Sequence, residues 1–199
     1  MGLSEINFAV LVASLIVAST PLVLAALGEL IVEKSGVLNL GVEGMMIIGA
    51  VAGFIVGVET GSAYIGMIAA AVAGALLSLL FAFIILIMQA NQVASGLALT
   101  IFGLGIAALM GHPYTGIKSP QISTISIPIL NEIPIVGTMF FQHDLIVYLS
   151  LISVLTIWYF LTRMRAGLIL RSVGEDHDVA HSLGYRVITI RFLAIVFGG

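Results

Sequence analysis

The chain contains no cysteine, which excludes a disulfide framework, a thiolate metal site and a thiol redox centre. Charge is nearly as scarce: Asp, Glu, Lys and Arg make up 9% of the 199 residues, against about a quarter in an ordinary soluble domain. So few charged side chains cannot coat a soluble globule, and lipid must cover most of the surface. The net charge of −3 says little, because the placement of the charges matters and not their sum. The N-terminal MGLSEINF has no basic n-region and carries Glu5, so it does not read as a cleavable signal peptide. Catalytic motifs are missing as well. There is no Ser-centred nucleophile elbow and no pair of intramembrane aspartates. GHPYTGIKS at Gly111–Ser119 imitates a phosphate-binding loop, but Ile117 separates its second Gly from Lys118, and the strand and helix the motif needs are not there. His177 and His181 stand at i, i+4 with no HExxH around them. No catalytic residue, metal ligand or cofactor is expected in the chain itself, and no nucleic-acid partner.

What remains is hydrocarbon. Apolar residues make up 60% of the chain, and the mean hydropathy is +1.22. A helix needs about 20 apolar residues to cross a bilayer. Runs of that kind extend over Phe8–Gly28 (with Pro21, which a membrane helix tolerates), Val37–Val58, Ala63–Met88, Val93–Met110 and Leu145–Thr162. A further run starts at Phe192 and is cut off at Gly199. The expected fold is therefore all-α: a polytopic α-helical membrane protein with five complete spans and the start of a sixth. Residues 1–199 read as a single transmembrane domain, a partial copy of something longer. Two segments stand apart. Gly111–Asp144 holds four of the five prolines and is too interrupted to span, so it reads as a cap at the membrane surface. Arg163–Arg191 is a polar island holding five of the seven basic residues and three of the ten acidic ones.

Loops rich in Lys and Arg stay on the cytoplasmic side. Placing Arg163–Arg191 inside puts Glu29–Gly36 inside, and the Gly111–Asp144 cap and the N-terminus outside. Six of the seven basic residues then lie inside, leaving Lys118 outside. A re-entrant segment around Asn39–Gly53 would move the N-terminus alone. Small residues recur every fourth position at Gly49, Gly53 and Gly57, at Gly66, Ala70, Gly74, Ser78 and Ala82, and more loosely at Ser95, Gly103, Ala107 and Gly111. Such stripes let helix backbones approach closely in lipid, either within the subunit or at a pore or dimer wall. Glu43 is the sharpest polar residue within a span. A carboxylate in hydrocarbon is costly unless it faces protein or water, and Asn39, one helical turn earlier, is expected on its face. A structural hydrogen bond and a gating role are both open. Asn91, Gln92, Ser95 and Thr100 make the start of the fourth span polar. Asn91, Ser95 and Thr100 read either as a polar path or as ordinary interhelical hydrogen bonding. Glu29 and Glu33 are explained at this level by snorkelling or by pairing with Lys34.

Inside the island, Glu175–Leu183 reads as a short helix. Glu175, Asp176 and Asp178 crowd its first turn, where the helix dipole favours negative charge. Gly184 stands where a C-terminal stop belongs, and Val179, Ala180 and Leu183 form a narrow apolar stripe. Flanked by Arg163 and Arg165 on one side and Arg186 and Arg191 on the other, this segment reads as a rigid knob. A plain surface loop is the competing reading.

The segment GLILRSVGEDHDVAHSLGYRV, Gly167–Val187, resembles the coupling-helix loop of ABC importer permeases related to the ribose and branched-chain amino acid permeases. Family members commonly carry Pro where this chain has His177. Thr20–Phe54, TPLVLAALGELIVEKSGVLNLGVEGMMIIGAVAGF, and Ala90–Gly105, ANQVASGLALTIFGLG, resemble the nucleoside and simple-sugar branch of that family. The resemblance covers nearly the whole chain. It implies an inner-membrane permease whose cytoplasmic coupling loop, residues 163–191, meets a cytoplasmic ATPase that binds ATP and Mg. The contact would run through Gly174, Glu175, Asp176, His177, Val179, Ala180, Leu183 and Gly184. It also implies a second permease subunit, alike or homologous, and an extracytoplasmic substrate-binding lipoprotein that docks near the cap. The substrate expected is a nucleoside, with simple sugars and then branched-chain amino acids as alternatives. A passive channel or membrane scaffold is the reading from a different class.

Overall fold

The computed structural model describes residues 8–120, 124–126 and 142–199. Helix α1 runs unbroken through Pro21 from Phe8 to Lys34, α2 from Val42 to Thr60, and α3 from Ala63 to Ala82. A π turn, Phe83–Ile87, widens the end of α3. Helix α4 covers Gln92–Gly111 and ends in a 3-10 turn, His112–Tyr114. Strands β1 (Thr124–Ser126) and β2 (Gln142–Asp144) pair antiparallel. Helix α5 covers Leu145–Arg163, α6 Arg165–Glu175, α7 His177–Ser182 and α8 Val187–Gly198. Helices α1 to α5 are long and apolar enough to cross a membrane, so the chain is a polytopic all-α membrane protein. Of the expected cap, residues 121–123 and 127–141 lie outside the described residues; the β1–β2 pair is the part seen.

Small residues set the packing, as the four-residue stripes predict. Helices α2 and α3 form an antiparallel hairpin about the left-handed Gly61 (φ 67°). A Cβ on Gly53 would come 2.9 Å from the Gly66 carbonyl oxygen, and one on Gly49 would come 3.1 Å from that of Ala70. Helix α4 crosses α2 where a Cβ on Gly103 would meet the Gly44 Cα at 2.8 Å. The α4 stripe is shifted from the expected one: Gly96, not Ser95, makes the close approach, its absent Cβ 2.9 Å from the Leu40 nitrogen. Helix α8 lies against α1 and α3, so that Gly28 faces Gly198 and Ser78 faces Gly199. These stripes therefore close contacts within the chain.

Two apolar clusters fill the spaces between helices. One joins Val32, Val37, Met45, Phe81, Leu99 and Ile195 from α1, the α1–α2 loop, α2, α3, α4 and α8. The other joins Ile31, Ile157, Leu161, Leu170 and Ala194 from α1, α5, α6 and α8. Large apolar side chains cover the outside, among them Ile101, Leu109 and Leu155, each more than two-thirds exposed.

Three boundaries and one additional helix differ from the expectation. Helix α1 passes Gly28 and includes Glu29, Glu33 and Lys34, because polar side chains at a span's end do not interrupt backbone hydrogen bonding. The second span begins at Val42 rather than Val37. The Asn39 side-chain oxygen accepts the Gly41 N–H at 3.0 Å, an Asx turn that holds residues 39–41 out of the helix. Helix α8 starts at Val187, five residues before Phe192. Helix α6 is additional to the elements read from the sequence. Its buried Gly167, Leu170 and Val173 recur at three-residue spacing, a helical signal masked by the charges around them.

Candidate functional site

The loop between α1 and α2, residues 35–41, is irregular backbone packed among helices. Such backbone must find partners inside the protein, and side chains from three helices supply them. Glu29 of α1 accepts the Asn39 N–H at 3.1 Å. Gln92, in the first turn of α4, accepts the Leu38 N–H at 2.8 Å. The Thr100 hydroxyl, two turns further along α4, donates to the Leu40 carbonyl at 3.0 Å. From α8, the Arg191 Nε donates to the Ser35 carbonyl at 3.1 Å. Ser35 and Asn39 are themselves buried; the Ser35 hydroxyl donates to the Val32 carbonyl, and the Asn39 amide lies 3.5 Å from the Met45 sulfur.

The same loop touches the polar island. Gly36 adopts φ +82°, and a Cβ on Gly174 of α6 would fall 2.9 Å from the Gly36 nitrogen, closer still to the Lys34 carbonyl oxygen. Two backbones meet there with no room for a side chain. Beyond Gly174 the chain turns at Asp176. Its N–H donates to the Ser172 carbonyl at 3.1 Å, ending α6. Its carboxylate accepts the N–H groups of Asp178 and Val179, each at 3.0 Å, which starts α7 in the manner of an N-cap. Gly184 at φ +87° stops it, with its N–H on the His181 carbonyl at 2.9 Å. Ala180, Val173 and Val187 close a small apolar cluster that fixes α7 on α6 and α8.

The sequence-level site residues are thus sorted by position. Asp176 and Gly184 start and stop the short helix. The helix itself is His177–Ser182, and Glu175 is the last residue of α6, because Asp176 takes up the capping conformation between them. The expected apolar stripe divides: Ala180 is buried, while Val179 is 52% and Leu183 69% exposed. The knob therefore presents two apolar side chains outward, beside exposed His177 and Asp178.

Among the candidates near the spans, Asn39 and Thr100 come together at the 35–41 loop. Asn91 is the N-cap of α4, its oxygen accepting the Ala94 N–H at 3.0 Å. It precedes the helix and shares no helical face with Thr100. Ser95 is half-buried in the following turn. Glu43 is exposed in the first turn of α2. There the dipole favours its charge, and with Asn39 outside the helix the two do not share a face. Glu29 bonds the Asn39 backbone rather than pairing with Lys34.

The bundle of five span-length apolar helices, with a short capped helix that exposes two apolar side chains and a hydrogen-bonded loop between α1 and α2 that meets α6, defines a multi-pass membrane protein. Residues 11–199 match the family of branched-chain amino acid transport system permease components, and the chain belongs to that family. A putative glucose ABC transporter permease protein of Haloferax volcanii is 39% identical over 92% of this chain and 56% of its own length. A guanosine ABC transporter permease protein of Bacillus subtilis is 34% identical, and a nucleoside ABC transporter permease protein of Lactococcus lactis 31%. Each of those two matches covers 96% of this chain and 63% of the relative. The chain thus spans under two-thirds of the length of these relatives. No solved structure matches it.

Proposed function

We propose that the chain acts as a transmembrane permease subunit of an ATP-driven ABC importer in the cytoplasmic (inner) membrane of a prokaryote, moving a nucleoside or related small polar solute. Family membership and the transport roles in the relatives' names support this reading. The observation that carries it is the elbow. An outward-facing apolar pair, Val179 of α7 and Leu183 at its C-cap, follows directly on α6, whose Gly174 abuts the loop that α1, α4 and α8 all hold. A surface element built only to be solvated needs no such wiring.

In this reading a cytoplasmic ATPase, which binds ATP and Mg, grips α7. The contact involves Gly174–His177, Val179, Ala180, Leu183 and Gly184, with the two exposed apolar residues forming the seat. Closure of the ATPase pair displaces α7, and the Gly174–Gly36 contact and the Arg191–Ser35 bond pass the displacement to the 35–41 loop. Gln92 and Thr100 pass it on to α4. Asn39 and Thr100 act as gating residues, with Asn91, Ser95 and Glu43 around the same end of the spans. A second permease subunit completes the path, and an extracytoplasmic binding lipoprotein delivers the solute. A simple-sugar substrate is the second reading, favoured by the name of the 39% identical relative; branched-chain amino acids come third, on the family description.

Uptake of labelled nucleosides and sugars into vesicles holding the complete transporter tests this directly. The parent is expected to accumulate solute only with ATP. Leu183→Asp is expected to lower uptake at least tenfold while partner ATP hydrolysis persists. Unchanged uptake by Leu183→Asp would sink the elbow assignment, and ATP-independent flux by the parent would favour a channel.

A further inference from the structure

A groove of about 580 Å³ opens beside α5, α6 and α8, walled by Ile157, Phe160, Met164, Ala166, Leu193 and Phe197 among other apolar residues. Tyr185 lines it and also lines an adjoining cavity of about 350 Å³ that carries His181, Arg186 and Thr189. Arg163 and Arg165 flank Met164 in the chain, at the end of α5 and the start of α6, and Arg186 follows Tyr185. All three arginines are exposed. Among the described residues none of the three has an acidic partner or a hydrogen-bonded side chain, and no Asp or Glu lines either cavity.

An apolar groove in a membrane protein selects nothing by itself, because lipid tails are as apolar as leucine. The selection has to come from the rim. A guanidinium presents a planar fork of donors that matches phosphate, and basic pockets between spans on the cytoplasmic side take anionic lipid headgroups. We propose that the groove and the adjoining cavity form one site for an anionic phospholipid, with an acyl chain along Ile157, Phe160 and Leu193 and the phosphate facing Arg163, Arg165 and Arg186. The site sits at the hinge where α5 meets α6 and where α7 returns to α8, so an occupied site braces the base of the elbow. The proposal rests on the membrane placement of the chain and not on its transport partners, so lipid occupancy and uptake fail separately.

Native mass spectrometry of the full chain in mixed micelles, titrated with phosphatidylglycerol or phosphatidylcholine of equal chain length, tests it. Phosphatidylglycerol is expected to be retained at least tenfold more tightly. Arg163→Gln, Arg165→Gln and Arg186→Gln are each expected to reduce that preference about fivefold, whereas Arg171→Gln, which lines a different cavity with Glu33 and Glu175, leaves it intact. Equal retention of the two lipids overturns the proposal, as does a preference that survives all three substitutions together. Competition by free glycerol phosphate as effective as by the lipid reduces the site to an anion site and overturns the groove's part. In a chain without native cysteine, Leu193→Cys carrying a benzophenone label is expected to crosslink to lipid; a crosslink to peptide alone would mean that a protein segment fills the groove.

Discussion

Asp176 closes one helix and opens the next, so that one carboxylate caps the start of α7. Asp176→Ala removes the acceptor for two N–H groups and is expected to destabilise α7 by about 1 kcal/mol. Asp176→Asn, which keeps the oxygen, is expected to retain most of that. Hydrogen exchange at the Asp178 and Val179 amides reads the difference, and equal exchange in the two variants would dismiss the capping role. Thr100 makes a comparable contribution deeper in the bundle. Thr100→Val keeps the shape but removes the donor to the Leu40 carbonyl, a bond at a partly exposed position whose loss is expected to cost about 0.5–1.5 kcal/mol, while Thr100→Ser keeps the bond. Thermal unfolding of the purified protein in detergent is expected to rank the three as parent, Ser, then Val.

At the level of elements, the junction of α6 with the 35–41 loop depends on two facing backbones. Gly174→Val forces a branched side chain into the Lys34 carbonyl and the Gly36 nitrogen. It is expected to destabilise by about 1–3 kcal/mol and to loosen the elbow, seen as a lower unfolding temperature together with faster proteolysis within residues 176–186. A lower unfolding temperature with unchanged cleavage there would mean that the elbow is held elsewhere. The elements themselves were largely legible in the chain: a run of some twenty apolar residues has few other uses, and Asp176 and Gly184 mark the short helix by their chemistry. The junction was not legible. The bonds that hold the loop join Glu29 of α1 to residue 39, Gln92 and Thr100 of α4 to 38 and 40, and Arg191 of α8 to 35, and a single sequence carries no record of which distant polar groups meet. Asn39 was misplaced for a related reason: an apolar run does not show where its helix starts, and the Asx turn that delays α2 needs only one Asn with Gly two residues on.

For the whole molecule, six of the seven basic residues are expected on one side of the membrane, with α7 among them. The lack of cysteine makes this measurable. Leu183→Cys and Thr60→Cys, both at exposed positions, are expected to react with an impermeant maleimide from opposite faces, Leu183→Cys from the cytoplasmic one. Labelling of both from one face would break the topology. The arrangement also explains why so polar a segment accompanies so apolar a chain. Under the proposed function, lipid contact holds the spans, and α7 with its exposed Val179 and Leu183 is the part a water-soluble partner would grip.

The wide turn at Phe83–Ile87, where the Met88 N–H reaches back to the Phe83 carbonyl, holds one residue more than a regular helix of the same reach. Gln89, just beyond it, takes a left-handed φ of 54°. Loss of one residue inside that turn would return it to ordinary helix and leave Gly66–Ala82 in register against α2 and α8. The same loss higher in α3 would rotate its packed face by about 100° and misalign every glycine contact beyond the cut. Loss of a residue is therefore expected to cost less in the Phe83–Ile87 turn, where Ile85 alone is buried, than within Gly66–Ala82.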